Sequence, residues 1–72
     1  MSSMNILIIE RIKELLRANG LNQSKLASGI NVNQSKVCNW LNGKKEPSIE
    51  SLWKLADFFD VSVDYLIGRK EI

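Results

Sequence analysis

Short helical segments with clearly marked ends recur along this chain. Apolar residues repeat at three- and four-residue steps, the spacing that buries one face of a helix. The segments begin after Asn or Ser, whose side chains can cap the free N–H groups at a helix start. They stop at Gly or Asn, which readily enter left-handed backbone. The β-branched clusters at 8–9 and 61–63 do not alternate for long. The sequence therefore predicts a compact all-α fold of five helices.

The predicted helices cover residues 6–19, a second helix after Asn22, 34–42, 49–59 and a short fifth helix after Ser62. We expect N-caps at Asn5, Asn22, Asn33, Ser48 and Ser62, and helix ends at Gly20, Asn31, Gly43 and Gly68. The residues expected to face the core are Ile8, Ile9, Ile12, Leu15, Leu16, Leu26, Ala27, Ile30, Val37, Trp40, Leu41, Leu52, Leu55, Ala56 and Phe59. Trp40 and Trp53 are interpreted as core or interface anchors, and Phe58, Phe59 and Tyr65 as closing the core around the last two helices.

The chain has 72 residues, which predicts one domain spanning 1–72. Its single cysteine, Cys38, allows no intrachain disulfide, and no apolar run approaches the ~20 residues of a membrane span. The N-terminus does not resemble a secretory signal, so we expect a cytoplasmic protein without a membrane partner. With no histidine, no Cys/His metal spacing, no Gly-rich phosphate loop and no nucleophile–base pair, we predict no enzymatic activity, metal, cofactor or small-molecule ligand.

Charge is distributed unevenly along the chain. Residues 15–45 contain five basic and no acidic side chains, whereas 46–72 contain three basic and six acidic ones. The basic stretch includes two short predicted helices joined by a tight, Asn-rich turn. A basic patch built around a helix-turn-helix predicts a surface for the phosphate backbone of DNA.

Two lysines stand where the helix dipole favours acids. Lys25 and Lys36 each lie three residues after a predicted N-cap, a position that Glu or Gln occupies in a capping box. Each costs about 0.3–1 kcal/mol at low salt, and a bound anion reverses the sign of that cost. We interpret the pair as phosphate contacts; the alternative is that both lysines point into water.

The third predicted helix has a polar, uncharged face. Gln34, Ser35 and Asn39 lie opposite its apolar residues. Gln and Asn side chains donate and accept at once, so they can pair with adenine N6 and N7 in the major groove. This face predicts base recognition, and the alternative is an ordinary solvated helix surface.

The chain resembles the phage-repressor-like (Cro/C1-type, XRE) helix-turn-helix DNA-binding family over nearly its whole length. The matching segments are 11–15 (RIKEL), 20–27 (GLNQSKLA), 32–37 (VNQSKV), 41–44 (LNGK), 46–48 (EPS) and 61–66 (VSVDYL), with Leu52, Leu55, Ala56 and Gly68. The resemblance implies a five-helix domain whose helix-turn-helix, at about 22–42, places helix three in the major groove.

By that resemblance, Gln23 bonds a phosphate and braces Gln34, and Lys36 contacts a phosphate or a guanine. The amides near Asn42 and Gly43, with Lys44, hold the opposite run of phosphates. The expected base-reading residues are Gln34, Ser35 and Asn39, and the expected phosphate-contacting residues are Gln23, Lys36, Asn42, Gly43, Lys44 and Lys45.

The chain departs from the family pattern at two places. Asn31 replaces the usual Gly of the turn, a tolerable exchange because Asn also enters left-handed backbone. Leu16 and Leu41 occupy positions where many members have an Arg and a Glu that pair, so we predict an apolar contact there instead.

Two functional hypotheses follow. The first is a sequence-specific regulator of double-stranded DNA, a repressor, acting as a homodimer on a near-palindromic operator. The second is an antitoxin-like or adaptor protein-interaction module on the same fold. The candidate dimer residues are Ile6, Leu7, Leu66, Ile67 and Ile72. Cys38, near the presumed DNA face, is either a small tolerated residue or a redox switch.

Overall fold

A computed structural model describes residues 3–69 of the protein, and this range forms five helices. The helices are α1 (Ser3–Ala18), α2 (Gln23–Gly29), α3 (Gln34–Leu41), α4 (Ile49–Phe59) and α5 (Val63–Leu66). No strand occurs within the described range. The predicted all-α, five-helix fold is confirmed, and the bounds of α4 are those predicted from the sequence.

Side-chain caps define the starts of three helices. The Asn22 side chain accepts from the Lys25 amide at 2.8 Å, the Ser48 hydroxyl accepts from the Ser51 amide at 3.1 Å, and the Ser62 hydroxyl accepts from the Tyr65 amide at 3.0 Å. Each bond satisfies an N–H that the helix itself leaves unpaired. The three N-caps predicted at these residues are confirmed.

Left-handed backbone follows two of the helices at non-glycine residues. Asn31, after α2, has φ 58°, as expected from its replacement of the usual Gly, and Asp60, after α4, has φ 56°. Gly43, which ends α3, has φ 76°, a conformation that an L side chain rarely adopts. These residues turn the chain sharply, so consecutive helices can pack on each other.

One apolar core joins the helices. It consists of Ile8, Ile9, Ile12, Leu16, Leu26, Ala27, Ile30, Val37, Trp40, Leu41, Leu52, Leu55, Ala56 and Leu66. Helix α3 packs against both α1 and α2, while α5 packs against α1 and α4. Because α3 lies between two helices, its inner face is fixed in direction. Among the described residues, no helix is both long and apolar enough to cross a membrane.

The first helix begins earlier than the sequence predicted. It starts at Ser3 instead of residue 6, and Asn5 lies inside it with only 1% of its surface exposed, so the predicted N-cap at Asn5 is wrong. Asn5 is three, four and seven residues before Ile8, Ile9 and Ile12, which places it on the buried stripe. Burial of that stripe extends the helix by one turn.

Most of the candidate dimer residues pack inside the domain. Leu66 is fully buried and Ile67 packs against the core, so Leu66 is excluded from a surface contact. The Leu7 side chain lies against Gly68, where an added Cβ would overlap it. Ile72 lies outside the described residues. Ile6, at 43% exposure, remains available.

The aromatic residues near α4 and α5 differ in burial. Phe59 and Tyr65 pack against the core as predicted. Phe58 is 39% exposed and lies on Gly29, where a Cβ would collide with its ring. It therefore covers the end of α2 instead of closing the core. Trp40 is buried, whereas Trp53 is not in the core.

Leu41→Glu should lower the free energy of unfolding by about 3 kcal/mol or more, because it places an unpaired carboxylate among apolar neighbours. Leu16 and Leu41 are both buried in the core, and Leu41→Met serves as the volume-matched control. Adding Leu16→Arg to Leu41→Glu should recover part of the loss if the two side chains meet. Urea unfolding checks this, and unchanged stability of the single Glu variant would refute the apolar contact.

Candidate nucleic-acid interface

Helices α2 and α3 form a helix-turn-helix. After α2, the Asn31 amide donates to the Ser28 carbonyl at 3.3 Å and the Val32 amide donates to the Ala27 carbonyl at 3.0 Å. These bonds and the left-handed Asn31 close the turn within four residues, 30–33. A turn of this length between two packed helices is typical of DNA-binding helix-turn-helix units.

The two faces of α3 differ sharply in burial. Val37, Trp40 and Leu41 are buried in the core. On the other side, Gln34 and Ser35 are exposed and Asn39 is half-buried. The three expected base-reading side chains are therefore accessible from outside, and the core contacts of α3 hold their helix in place.

The four lysines of 25–45 are all on the surface. Exposed side chains include Lys25, Lys36, Lys44 and Lys45. Within the described range, no ion pair joins any of these lysines to an acidic side chain. An ion pair does form elsewhere, between Lys54 and Glu50 at 3.7 Å. The first turns of α2 and α3 contain no acid. Their charge is thus available to an external anion.

A cleft next to α3 brings part of the predicted site together. Its volume is about 160 Å³. It is lined by Lys36, Asn39, Trp40, Lys45, Glu46 and Ser51. Three of the predicted contact residues therefore border one cleft, beside the loop that joins α3 to α4. Sequence reasoning did not include Glu46 or Ser51 here, because their place beside α3 depends on the path of the chain between α3 and α4.

The backbone amides after α3 are engaged within the turn. The Asn42 amide donates to the Cys38 carbonyl at 2.9 Å, and the Gly43 amide donates to the Trp40 carbonyl at 3.2 Å. The Lys44 amide donates to the Asn39 carbonyl at 2.9 Å. Asn42, Lys44 and Lys45 are exposed at this turn. The phosphate contacts that the resemblance assigns to the amides near Asn42 and Gly43, together with Lys44, stay a prediction.

Asn33 differs from the other N-cap residues. It stands at the N-cap of α3 with extended backbone, but its side chain makes no cap hydrogen bond. The Lys36 amide bonds the Asn33 carbonyl instead, at 3.0 Å. The Asn33 side chain is exposed, so its amide group can reach an external partner, a possibility that residue type alone did not reveal.

Gln23 and Cys38 also lie near the helix-turn-helix, and the structure leaves their predicted roles untested. Gln23 is half-buried at the start of α2, and no hydrogen bond between Gln23 and Gln34 is recorded among the described residues, so the brace between them stays a prediction. Cys38 is partly exposed and accepts a hydrogen bond from the Asn42 side chain at 3.2 Å. The residues that the structure describes contain no cluster of metal-ligating side chains.

This arrangement defines a small all-α domain with an exposed, basic helix-turn-helix. A helix-turn-helix family model matches residues 12–66, and the chain belongs to the Cro/C1-type (XRE) helix-turn-helix family. The match includes α2, α3, α4 and α5, so it covers the whole candidate interface.

Individual relatives are transcriptional regulators by name. The chain is 30% identical over 63 residues, 88% of its length, to the HTH-type transcriptional regulator ImmR of Bacillus subtilis and covers 50% of that protein. It is 31% identical over 61 residues, 85% of its length, to the cryptic phage CTXphi transcriptional repressor RstR of Vibrio cholerae and covers 55% of it. It is 32% identical over 63 residues, 88% of its length, to the HTH-type transcriptional activator BcrR of Enterococcus faecalis and covers 31% of it.

A solved structure shares the fold. A transcriptional regulator from Listeria innocua superposes with a TM-score of 0.77 at 33% identity, over 85% of this chain and 57% of the other. Apart from BcrR, of which it covers less, the chain spans about half the length of the relatives described here.

The caps of α2 and α3 should respond differently to the same substitution. Asn22→Ala removes a cap bond and should lower the free energy of unfolding by about 1 kcal/mol. Asn33→Ala removes no cap bond and should cost less than half as much. Thermal or urea unfolding of the two variants checks this, and equal losses would show that Asn33 caps α3 in solution.

Proposed function

We propose that this chain is a sequence-specific DNA-binding repressor that acts in the cytoplasm as a homodimer, with α3 lying in the major groove. The observation that carries the proposal is the exposed Gln34–Ser35 surface of α3, rimmed by lysines that have no acidic partner among the described residues. Membership of the helix-turn-helix family supports DNA binding. The similarity to RstR, which is named a repressor, supports repression. The similarity to BcrR, which is named an activator, makes activation the alternative.

The contacts divide into two kinds. Gln34, Ser35 and Asn39 read base edges, because amide and hydroxyl groups match the donor and acceptor pattern of the major groove. Phosphate contacts fix the position of the domain on the duplex without reading sequence. The residues assigned to phosphate contacts are Gln23, Lys36, Asn42, Gly43, Lys44 and Lys45, with Gly43 serving through the backbone turn that it allows. The DNA-binding domain is taken as 1–72, with the helix-turn-helix at about 22–42.

Selection of bound duplexes from a random library, followed by titration against salt, tests the function. We expect two inverted half-sites about one helical turn apart. If about four to six phosphates are neutralised per dimer, the log–log slope of affinity against salt should be about −4 to −5. Recovery of no sequence, or binding that salt does not weaken, would favour the alternative of an antitoxin-like or adaptor module. Reporter repression by the selected site then fixes the sign of regulation.

Gln34→Ala and Lys44→Ala should weaken DNA binding in different ways. The first should cost about 1–3 kcal/mol on the preferred sequence and relax one base position, because it removes a base contact. The second should weaken all sequences alike and reduce the salt slope of the dimer by about 2, because each of the two copies loses one phosphate contact. Both side chains are exposed, so neither change should alter unfolding. Equal losses on every sequence would argue against base reading by Gln34.

A further inference from the structure

Two large apolar side chains project from α4. Ile49 is 86% exposed and Trp53 is 71% exposed, whereas the other exposed large apolar residues in the described part of the chain range from 36% to 43%. They are four residues apart on one helix and therefore neighbours on its surface. We call them the Ile49–Trp53 face. Single exposed apolar residues are ordinary, whereas contiguous apolar patches of a few hundred Å² or more mark contact sites.

The fold does not require this face. Helix α4 buries Leu52, Leu55 and Ala56 on its inner side and is capped by Ser48. Ile49 and Trp53 lie outside the apolar core. Tryptophan is enriched among the residues that dominate protein interfaces.

We propose that a second copy of this chain docks on the Ile49–Trp53 face when two copies occupy adjacent half-sites. This inference rests on the proposed DNA-binding function and identifies the surface through which the copies meet. It replaces the α1 and α5 residues expected from the sequence, of which Leu66 is buried.

Charges beside the face fit a second copy. Glu50 and Lys54 lie next to it on α4 and form an ion pair at 3.7 Å, with the Glu50 side chain 81% exposed. When a two-fold axis pairs two α4 helices in antiparallel fashion, Ile49 of each meets Trp53 of the other. The same operation places Glu50 near Lys54 of the other copy, so both the apolar pair and the charges are self-complementary.

The position of the face suits a dimer on DNA. Ser51 borders the same cleft as Lys36, Asn39 and Lys45. The first turn of α4 therefore lies beside the loop that joins α3 to α4, which carries proposed phosphate contacts. The domain measures 27 × 25 × 21 Å between Cα extremes, which is too small to span half-sites about 34–36 Å apart. Two copies in contact beside that loop can reach both.

The available area predicts a weak contact. A buried aromatic side chain hides about 150–250 Å², so Ile49 and Trp53 together supply well under the ~800 Å² that each partner contributes to a stable interface. The free chain should therefore be mainly monomeric at micromolar concentration. Binding to adjacent half-sites raises the local concentration and completes the dimer.

Trp53→Ser tests the face on a selected duplex that contains either one half-site or two. The variant should bind one half-site as the wild type does but lose roughly tenfold or more in affinity for two half-sites. Ile6→Ser, on the alternative α1 surface, is the matched control and should retain the cooperativity. Retained cooperativity in the Trp53 variant, or its loss in the Ile6 variant, would overturn the proposal. Weaker binding of Trp53→Ser to a single half-site would identify a DNA contact and overturn it as well.

A charge exchange provides a test that needs no DNA. Glu50→Lys and Lys54→Glu should each abolish self-association in sedimentation at high concentration, because like charges then meet across the axis. A mixture of the two variants should form heterodimers. Absence of heterodimers in that mixture would contradict the α4 pairing. If selection recovers no duplex but the mixture dimerises, the DNA-binding proposal fails while the docking face stands.

Discussion

The inner face of α3 determines what the rest of the domain can do. Val37, Trp40 and Leu41 are held between α1 and α2, and large side chains of this kind contribute about 1.5–3 kcal/mol each when fully buried. A helix of eight residues, Gln34–Leu41, has little stability alone. Packing supplies it, and because the inner face is fixed, Gln34 and Ser35 must face outward. The direction of the polar face is thus a consequence of the core.

Helices α2 and α3 lack stabilising features at their starts, where the proposed function is concentrated. The first turns of α2 and α3 contain no acid, and the Asn33 side chain does not cap α3, although α2, α4 and α5 all have side-chain caps. Each departure costs a fraction of a kilocalorie to about 1 kcal/mol. A phosphate at these helix ends would accept from the free N–H groups and attract the lysines. Rules of local stability are commonly relaxed at binding sites, and these two helices fit that pattern.

The sequence predicted the elements whose signals are local. Caps at Asn22, Ser48 and Ser62 depend on a side chain and an amide three residues away, so residue type and spacing suffice. The start of α1 was predicted wrongly, because two signals at Asn5 conflict. Asparagine is a residue type that commonly caps helices, but the spacing of Asn5 from Ile8 and Ile12 places it on the buried stripe. Burial decided between those signals, and burial depends on the neighbouring helices. The exposure of Trp53 was likewise not predictable from hydrophobicity, since it depends on how α4 is rotated against the core.

Under the proposed function, a single α3 would not supply all of the specificity that a regulator can require. A well-placed base contact contributes about 1–3 kcal/mol, and the discrimination needed against genomic competitors is about 4–10 kcal/mol. At that rate the three proposed base-reading side chains, one of them the half-buried Asn39, would supply about 3–9 kcal/mol, which overlaps the required range without reaching its upper end. The proposed dimer would double the contacts, and its pairing would add the requirement that half-sites lie at the correct spacing. The small Ile49–Trp53 face would suit this arrangement, because a strong free dimer would bind non-specific DNA through twice as many lysines, whereas a weak one would form only where both half-sites match.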